Sequence, residues 1–329
     1  MILVTGSTGF IGSQLCRALA AQGERVRAFH RPTSSTAMLD GLDIEHATGD
    51  ITQPETLRAA MQGVEVVFHT AAQLGSPRVP AQMVAVTVGG TRNVLETAKQ
   101  AGVRRVMHTS SVAALGVPDR PQRGSAPLPM DEHHTWNYRP EWWRYGHSKY
   151  LAELEVQRAV ALGLDAVIVN PAAVLGAGDL NRVSGDMVVY IARHGVPALV
   201  EGGVNVVHIA DVVAGHLAAL ERGRTGERYI LGGENMVVPE LLNLIAEVTE
   251  ARQSHLQIPI WLALALVGPV ATLNRWGKLP VGGELLRQAG RYFYYDTCKA
   301  REELGLAAPR TVREAIQEAF NWYRNQGMI

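Results

Sequence analysis

The chain has 329 residues, enough for one large α/β domain with an elaborated second lobe or for two domains. Its apolar fraction of 47% can build a full core, and Lys plus Arg balance Asp plus Glu at 31 each. That balance gives no electrostatic footprint for nucleic acid or an anionic membrane, and the two distant cysteines, Cys16 and Cys298, match no metal or redox spacing.

Ile2-Leu3-Val4 reads as a short buried strand, and Phe10 to Ala21 as a helix with apolar positions at helical spacing. Between them Gly6, Gly9 and Gly12 stand three residues apart, with Thr8 and Ile11 in the same run. In such a corner glycine lets the backbone turn tightly and approach a pyrophosphate, which the free N–H groups and dipole of the helix then hold. A dinucleotide cofactor is expected. Strand-like runs follow at Arg25 to Phe29, Ile44 to Ala47, Val64 to Phe68, Arg105 to His108 and Ala166 to Val169. Helical runs lie at Pro54 to Met61, Ala81 to Ala101 and Tyr145 to Leu162. This alternation predicts an α/β fold with a doubly wound parallel sheet, a Rossmann fold with right-handed crossovers.

The connection from Val117 to Arg144 holds Trp136, Tyr138, Trp142 and Trp143, and a long loop of this kind is expected to line a site. After Pro171, Val206 to Ile209 and Tyr229 to Leu231 are expected to return to the sheet. Asp211 would cap a helix to Arg222 between them. Residues 1–171 with about 204–232 would form the dinucleotide-binding domain, and about 172–203 and 233–329 a smaller substrate lobe with a closing helix, Val312 to Arg324. The apolar stretch Ile258 to Leu273 is broken by Gly268-Pro269 and is too short for a membrane span. It would either wall the substrate pocket or sit buried in the small lobe. No charged leader with an apolar core precedes the first strand, so a cytoplasmic protein without integral membrane association is expected.

The chemistry lies in Tyr145-Gly146-His147-Ser148-Lys149. Residues i and i+4 share a helix face, so Tyr145 and Lys149 project together while His147 points elsewhere. A phenol titrates near pH 10 unaided, and a nearby ammonium favours the phenolate, which brings proton transfer nearer neutral pH. Thr109-Ser110-Ser111 ends the strand before, where Ser111 would orient a substrate oxygen. His133, His134 and His208 read as solvated or internally satisfied, and no metal site is expected.

These segments together resemble the extended short-chain dehydrogenase/reductases, the NAD-dependent epimerase/dehydratase family, and the likeness runs nearly end to end. It includes Thr5 to Gly12, Gly49-Asp50-Ile51, His69-Thr70-Ala71-Ala72, Thr109 to Ser111, Tyr145 to Lys149, Asn170-Pro171 to Gly178, Val207 to Val212 and Glu227 to Gly232. The resemblance implies Tyr145 as proton donor or acceptor, Lys149 lowering its pKa and binding the nicotinamide ribose, and Ser111 polarising the carbonyl. It further implies Asp50 and Ile51 at the adenine, Ala71 and Ala72, with Thr70 and Thr109, along the cofactor, and Pro171 at the nicotinamide. Helices Ala81 to Ala101 and Tyr145 to Leu162 often pair as a four-helix bundle in this family, so a homodimer is expected.

Two departures from the family pattern stand out. Thr87 replaces the first Asn of its Asn-Val-x-Gly-Thr-x-Asn segment, and Val204-Asn205 stands where members that handle nucleotide-diphosphate sugars carry Arg-Asp. Arg182 or Arg193 remain as substitutes for a diphosphate clamp. The second strand ends in His30-Arg31, and no acidic residue occurs between Glu24 and Asp40. An acidic side chain there selects NAD, whereas arginine accommodates a 2′-phosphate, so NADP(H) is expected over NAD(H), on Arg31 and a serine such as Ser35. The sequence thus predicts hydride transfer between NADP(H) and a ketone or secondary alcohol, as in dihydroflavonol reductases and hydroxysteroid dehydrogenases. A small, apolar or aromatic substrate is expected. Nucleotide-sugar epimerase or dehydratase chemistry is the alternative, and a non-enzymatic dinucleotide sensor would lack Tyr145 and Lys149.

Overall fold

The computed structural model describes residues 1–73, 80–122, 124–274 and 286–329. Seven parallel strands form the main sheet: β1 (Ile2–Thr5), β2 (Val26–His30), β3 (Glu45–Thr48), β4 (Val66–His69), β5 (Arg105–Thr109), β6 (Ala166–Pro171) and a late strand, Arg228–Leu231. Their spatial order is late strand-β6-β5-β4-β1-β2-β3. The order in which successive strands are added reverses between β1 and β4, β2 and β3 extending to one side and β4 to β6 to the other, which opens a crevice at their carboxyl ends.

Alternation along each strand feeds two cores. Ile2 and Val4 face a layer containing α1 (Phe10–Ala21), whereas Leu3 faces one containing Leu57, Val94 and Val156. That second layer is built from α2 (Pro54–Ala60), a long helix beginning at Pro80, and α5 (Arg144–Ala161). The long helix comprises α3 (Pro80–Val84), one π-turn at Ala85–Gly89 and α4 (Gly90–Gln100). Strands buried on both faces explain why the sequence shows near-continuous apolar runs there.

The smaller lobe has its own core of Leu175, Val188, Ile191, Leu241, Ile245, Ile316 and Tyr323. β7 (Ala173–Leu175), α6 (Asp186–His194), β8 (Leu199–Val200) and β9 (Gly203–His208) contribute to it. α7 (Ile209–Arg222) returns to pack beside α1. With the late sheet strand counted as β10, β11 is Glu234–Val237, α8 Val238–Val248 and β12 Gln257–Ile258. Two short helices, α9 (Ile260–Ala265) and α10 (Val267–Asn274), and β13 (Tyr292–Phe293) follow. The closing helix is Val312–Asn325.

Three expectations need correction. Val206 to Ile209 does not return to the main sheet: β9 pairs with β7, β11 and β13 in a second sheet, and β10 alone rejoins the first. An apolar strand pattern specifies burial, and both sheets offer it. Nor does Asp211 cap α7. His208 is the N-cap, its Nδ1 accepting from the Ala210 amide at 3.0 Å, while Asp211 accepts from the Arg310 amide at 2.7 Å. Ile258 to Leu273 is neither a single buried helix nor a wall of the cleft over the main sheet, whose lining includes none of these residues. It breaks at Leu266, and Trp261 is 70% exposed. Among the described residues no helix is long and apolar enough to cross a membrane.

Candidate active site

A cleft of about 900 Å³ opens over the carboxyl ends of β1, β2, β4, β5 and β6. Its floor is the glycine corner. Gly6 adopts a left-handed φ of 68°, and a Cβ on Gly12 would collide with the Gly6 carbonyl, so strand and helix meet this closely only without side chains. Gly9 caps α1 with no side-chain acceptor, and no acidic residue occupies the first turn. The helix end thereby presents bare N–H donors and an uncompensated dipole to the cleft. These donors fit the phosphates of a dinucleotide.

Every residue nominated from the sequence for cofactor or catalysis lines this one cleft, from Gly6 through Arg31, Ser35, Asp50 and Ala72 to Ser111, Tyr145, Lys149 and Pro171. Arg31 stands exposed beyond β2 with no acidic partner among the described residues. The Asp50 carboxylate binds the backbone and hydroxyl of Thr52 at 2.9 and 2.8 Å, which fixes the turn after β3. Thr87 lies in the π-turn, and its hydroxyl accepts from the Gln73 amide at 3.2 Å. Threonine therefore orients the loop after β4 at the position of the family's asparagine.

At the deep end, Ser111 caps a short 3₁₀ turn, its Oγ accepting from the Ala113 amide at 3.2 Å. The serine proton is left to donate. Burial pushes the Tyr145 phenol above its ordinary value, and a hydrogen bond from Ser111 pulls it back. Lys149 is 4% exposed and donates to the Thr109 carbonyl at 2.9 Å. Burial draws its ammonium down to about 8, against the attraction of Glu153. Phenol, ammonium and hydroxyl thus converge where a carbonyl can be protonated. His147 turns away onto Trp136 and Tyr150.

The sequence reading missed part of the wall. Gln82 and Val86 enter from the long helix, and Leu180, Asn181, Val183 and Ser184 from the loop after β7. That loop is folded around Asp179, 1% exposed, whose carboxylate accepts from the amides of Val183, Ser184 and Gly185 at 2.9 to 3.0 Å. Its carbonyl accepts from Tyr323 Oη of the closing helix at 3.1 Å. An aspartate six residues before a glycine carries no recognisable pattern.

Trp136 to Trp143 is not part of the lining. Trp136 and Trp143 pack on each other and around Gly146, where a Cβ would come within 2.8 Å of Trp136. The cluster is packing for the start of α5. Arg182 pairs with Asp186 at 3.5 Å, and Arg193 donates to the Met328 carbonyl. Neither stands in the cleft, and Asn205 is spent on Asn235 and Gly233 within the second sheet.

The chain's sequence matches the model of the NAD dependent epimerase/dehydratase family over residues 2–232. It is 37% identical to sterol demethylase protein B of Methylococcus capsulatus, with 99% of each chain covered. It is 35% identical to a putative dihydroflavonol 4-reductase of Synechocystis, over 99% of this chain and 95% of that protein. The crystal structure of a nucleoside-diphosphate-sugar epimerase from Pseudomonas aeruginosa superposes with a TM-score of 0.81 at 29% identity, covering 100% and 98% of the two chains.

Proposed function

This chain belongs to the NAD-dependent epimerase/dehydratase family of extended short-chain dehydrogenase/reductases, a class of NAD(P)-dependent oxidoreductases, and from that premise we propose that it interconverts a carbonyl and an alcohol on a small, largely apolar or aromatic substrate with NADP(H). The observation that carries the proposal is the cleft's charge distribution. Among the described lining residues the arginine and lysine side chains are Arg31, at the adenosine end, and Lys149, beside Tyr145. A nucleotide diphosphate would need cations at the substrate end, where Val86, Ala172, Val174, Leu180 and Val183 stand instead. The names of the two sequence relatives attach them to a dihydroflavonol and a sterol, which supports a compact ring substrate.

A bound nicotinamide dinucleotide supplies the hydride. Tyr145 Oη holds the proton delivered to the substrate oxygen, and Ser111 Oγ, its lone pair anchored by Ala113, orients that oxygen. The Lys149 charge stabilises the phenolate left behind. Arg31 and Ser35 would take a 2′-phosphate. We further propose a homodimer through α4 and α5 in the cytoplasm; both cysteines are free thiols, which suits a reducing compartment.

The test is a side-by-side assay with NADPH, using aryl and alicyclic ketones against UDP- and TDP-sugars. Ketone reduction is expected, with no rise in melting temperature from the sugars. Clear stabilisation by a nucleotide sugar would overturn the proposal in favour of epimerase chemistry.

A further inference from the structure

One turn beyond Lys149 on the same face of α5, Glu153 is 4% exposed, yet it lies outside the cleft. Its Oε1 accepts from Ser110 Oγ at 2.5 Å and Asn170 Nδ2 at 2.6 Å, and its Oε2 from Arg228 Nη1 at 3.1 Å. Asn170 Nδ2 also donates to the Ser111 carbonyl at 2.9 Å. One carboxylate thus ties together the helix of Tyr145 and Lys149, the end of β5 that bears Ser111, β6 and β10. Burying a carboxylate costs several kcal/mol unless its partners compensate, and here they come from β6, β10 and the residue just past β5. We propose that Glu153 is a positioning residue for the carbonyl chemistry proposed above: it locks Ser111 in register with Tyr145 and supplies the counter-charge to the Lys149 ammonium.

Among the described residues, the ionisable groups around Lys149 are Tyr145 and Glu153 on its own helix, His69 on β4, His108 on β5 and, across Glu153, Arg228 on β10. Both histidines are fully buried and lowered mainly by burial; the Lys149 charge adds to this at His69, and His69 and then Lys149 add to it at His108. Glu153 is the group that opposes the loss of the Lys149 proton. In the reductive direction the rate falls as the Tyr145/Lys149 pair deprotonates, and the limb belongs to the pair. Removing the Glu153 charge eases both deprotonations, so the limb moves to lower pH.

The experiment compares Glu153→Gln and Glu153→Asp in folded protein that binds NADPH normally. Glu153→Gln is expected to lower kcat about tenfold and to move the alkaline limb down by about one pH unit. Glu153→Asp, which keeps the charge but shortens the arm, should lower kcat and leave the limb in place. A second readout needs no substrate. The sequence has four lysines, Lys99, Lys149, Lys278 and Lys299, so ¹³C NMR of the lysine ε-carbons follows the Lys149 titration directly, and it should shift down in Glu153→Gln. A shifted NMR titration without turnover on any ketone would refute the proposed reaction and keep the role of Glu153. If Glu153→Gln does not fold, Arg228→Gln removes a cation and should move the Lys149 titration upward. An unmoved Lys149 titration in these variants overturns the proposal.

Discussion

At the scale of single residues, the proposed chemistry rests on Tyr145 and the cofactor choice on Arg31. Tyr145→Phe removes the proton while keeping the ring, so NADPH affinity should stay near wild type and turnover should fall by roughly 10²–10⁴-fold. Turnover within a factor of a few of wild type would remove Tyr145 from the mechanism. Arg31 has no acidic partner among the described residues, so Arg31→Ala should leave stability unchanged and weaken NADPH about tenfold or more relative to NADH. Equal changes for the two cofactors, measured by fluorescence titration, would count against a 2′-phosphate at this corner. Both residues were readable from sequence because their meaning is local: a helix spacing of four, and a position just past a strand. Glu153 was not, since its partners Ser110, Asn170 and Arg228 lie up to 75 residues away.

At the scale of elements, the same contrast holds. The glycine corner and α1 were legible to the residue, because Gly6, Gly9 and Gly12 punctuate them from within. The helix Ala81 to Ala101 was legible as a helix but not as one carrying a π-turn at Ala85–Gly89. Thr87 within that turn accepts a hydrogen bond from the amide of Gln73, 14 residues earlier, a contact no helical spacing announces. The start of α7 was misplaced because Asp211 is a better intrinsic cap than His208, while tertiary contacts commit Asp211 to Arg310. The loop around Asp179 was invisible. It yields a firm prediction: Asp179→Ala strands three backbone N–H groups and should cost about 3 kcal/mol of stability. The KM for the carbonyl substrate should rise while NADPH binding holds. An unchanged urea midpoint would show that the loop stands without its aspartate.

At the scale of the molecule, three fully buried histidines set the response to acid. His69 is driven down to about 3 and His216 to about 4, both mainly by burial, and His108 is lowered for the same reason. A histidine with a depressed folded pKa contributes stability above its unfolded value near 6.5, and that stability is lost as pH falls toward the folded value. Between pH 8 and 5.5 the unfolded chain takes up most of three protons that the folded one refuses, a loss of about 4 kcal/mol. Equal guanidinium midpoints at the two pH values would refute it. The proposed homodimer predicts a single two-chain species in sedimentation at micromolar concentration, and the 46% exposed Leu154 on α5 marks the face to disrupt with Leu154→Arg. A monomer in the unmodified protein would refute that assembly. The hydrogen bond from Tyr323 to Asp179 spans 144 residues of chain, and this has a consequence during synthesis. The proposed cofactor-binding residues end at Pro171, about half-way along the chain, but the substrate wall cannot be braced until Tyr323 has left the ribosome. A translating ribosome therefore carries every proposed cofactor-binding residue well before it can carry the braced substrate wall.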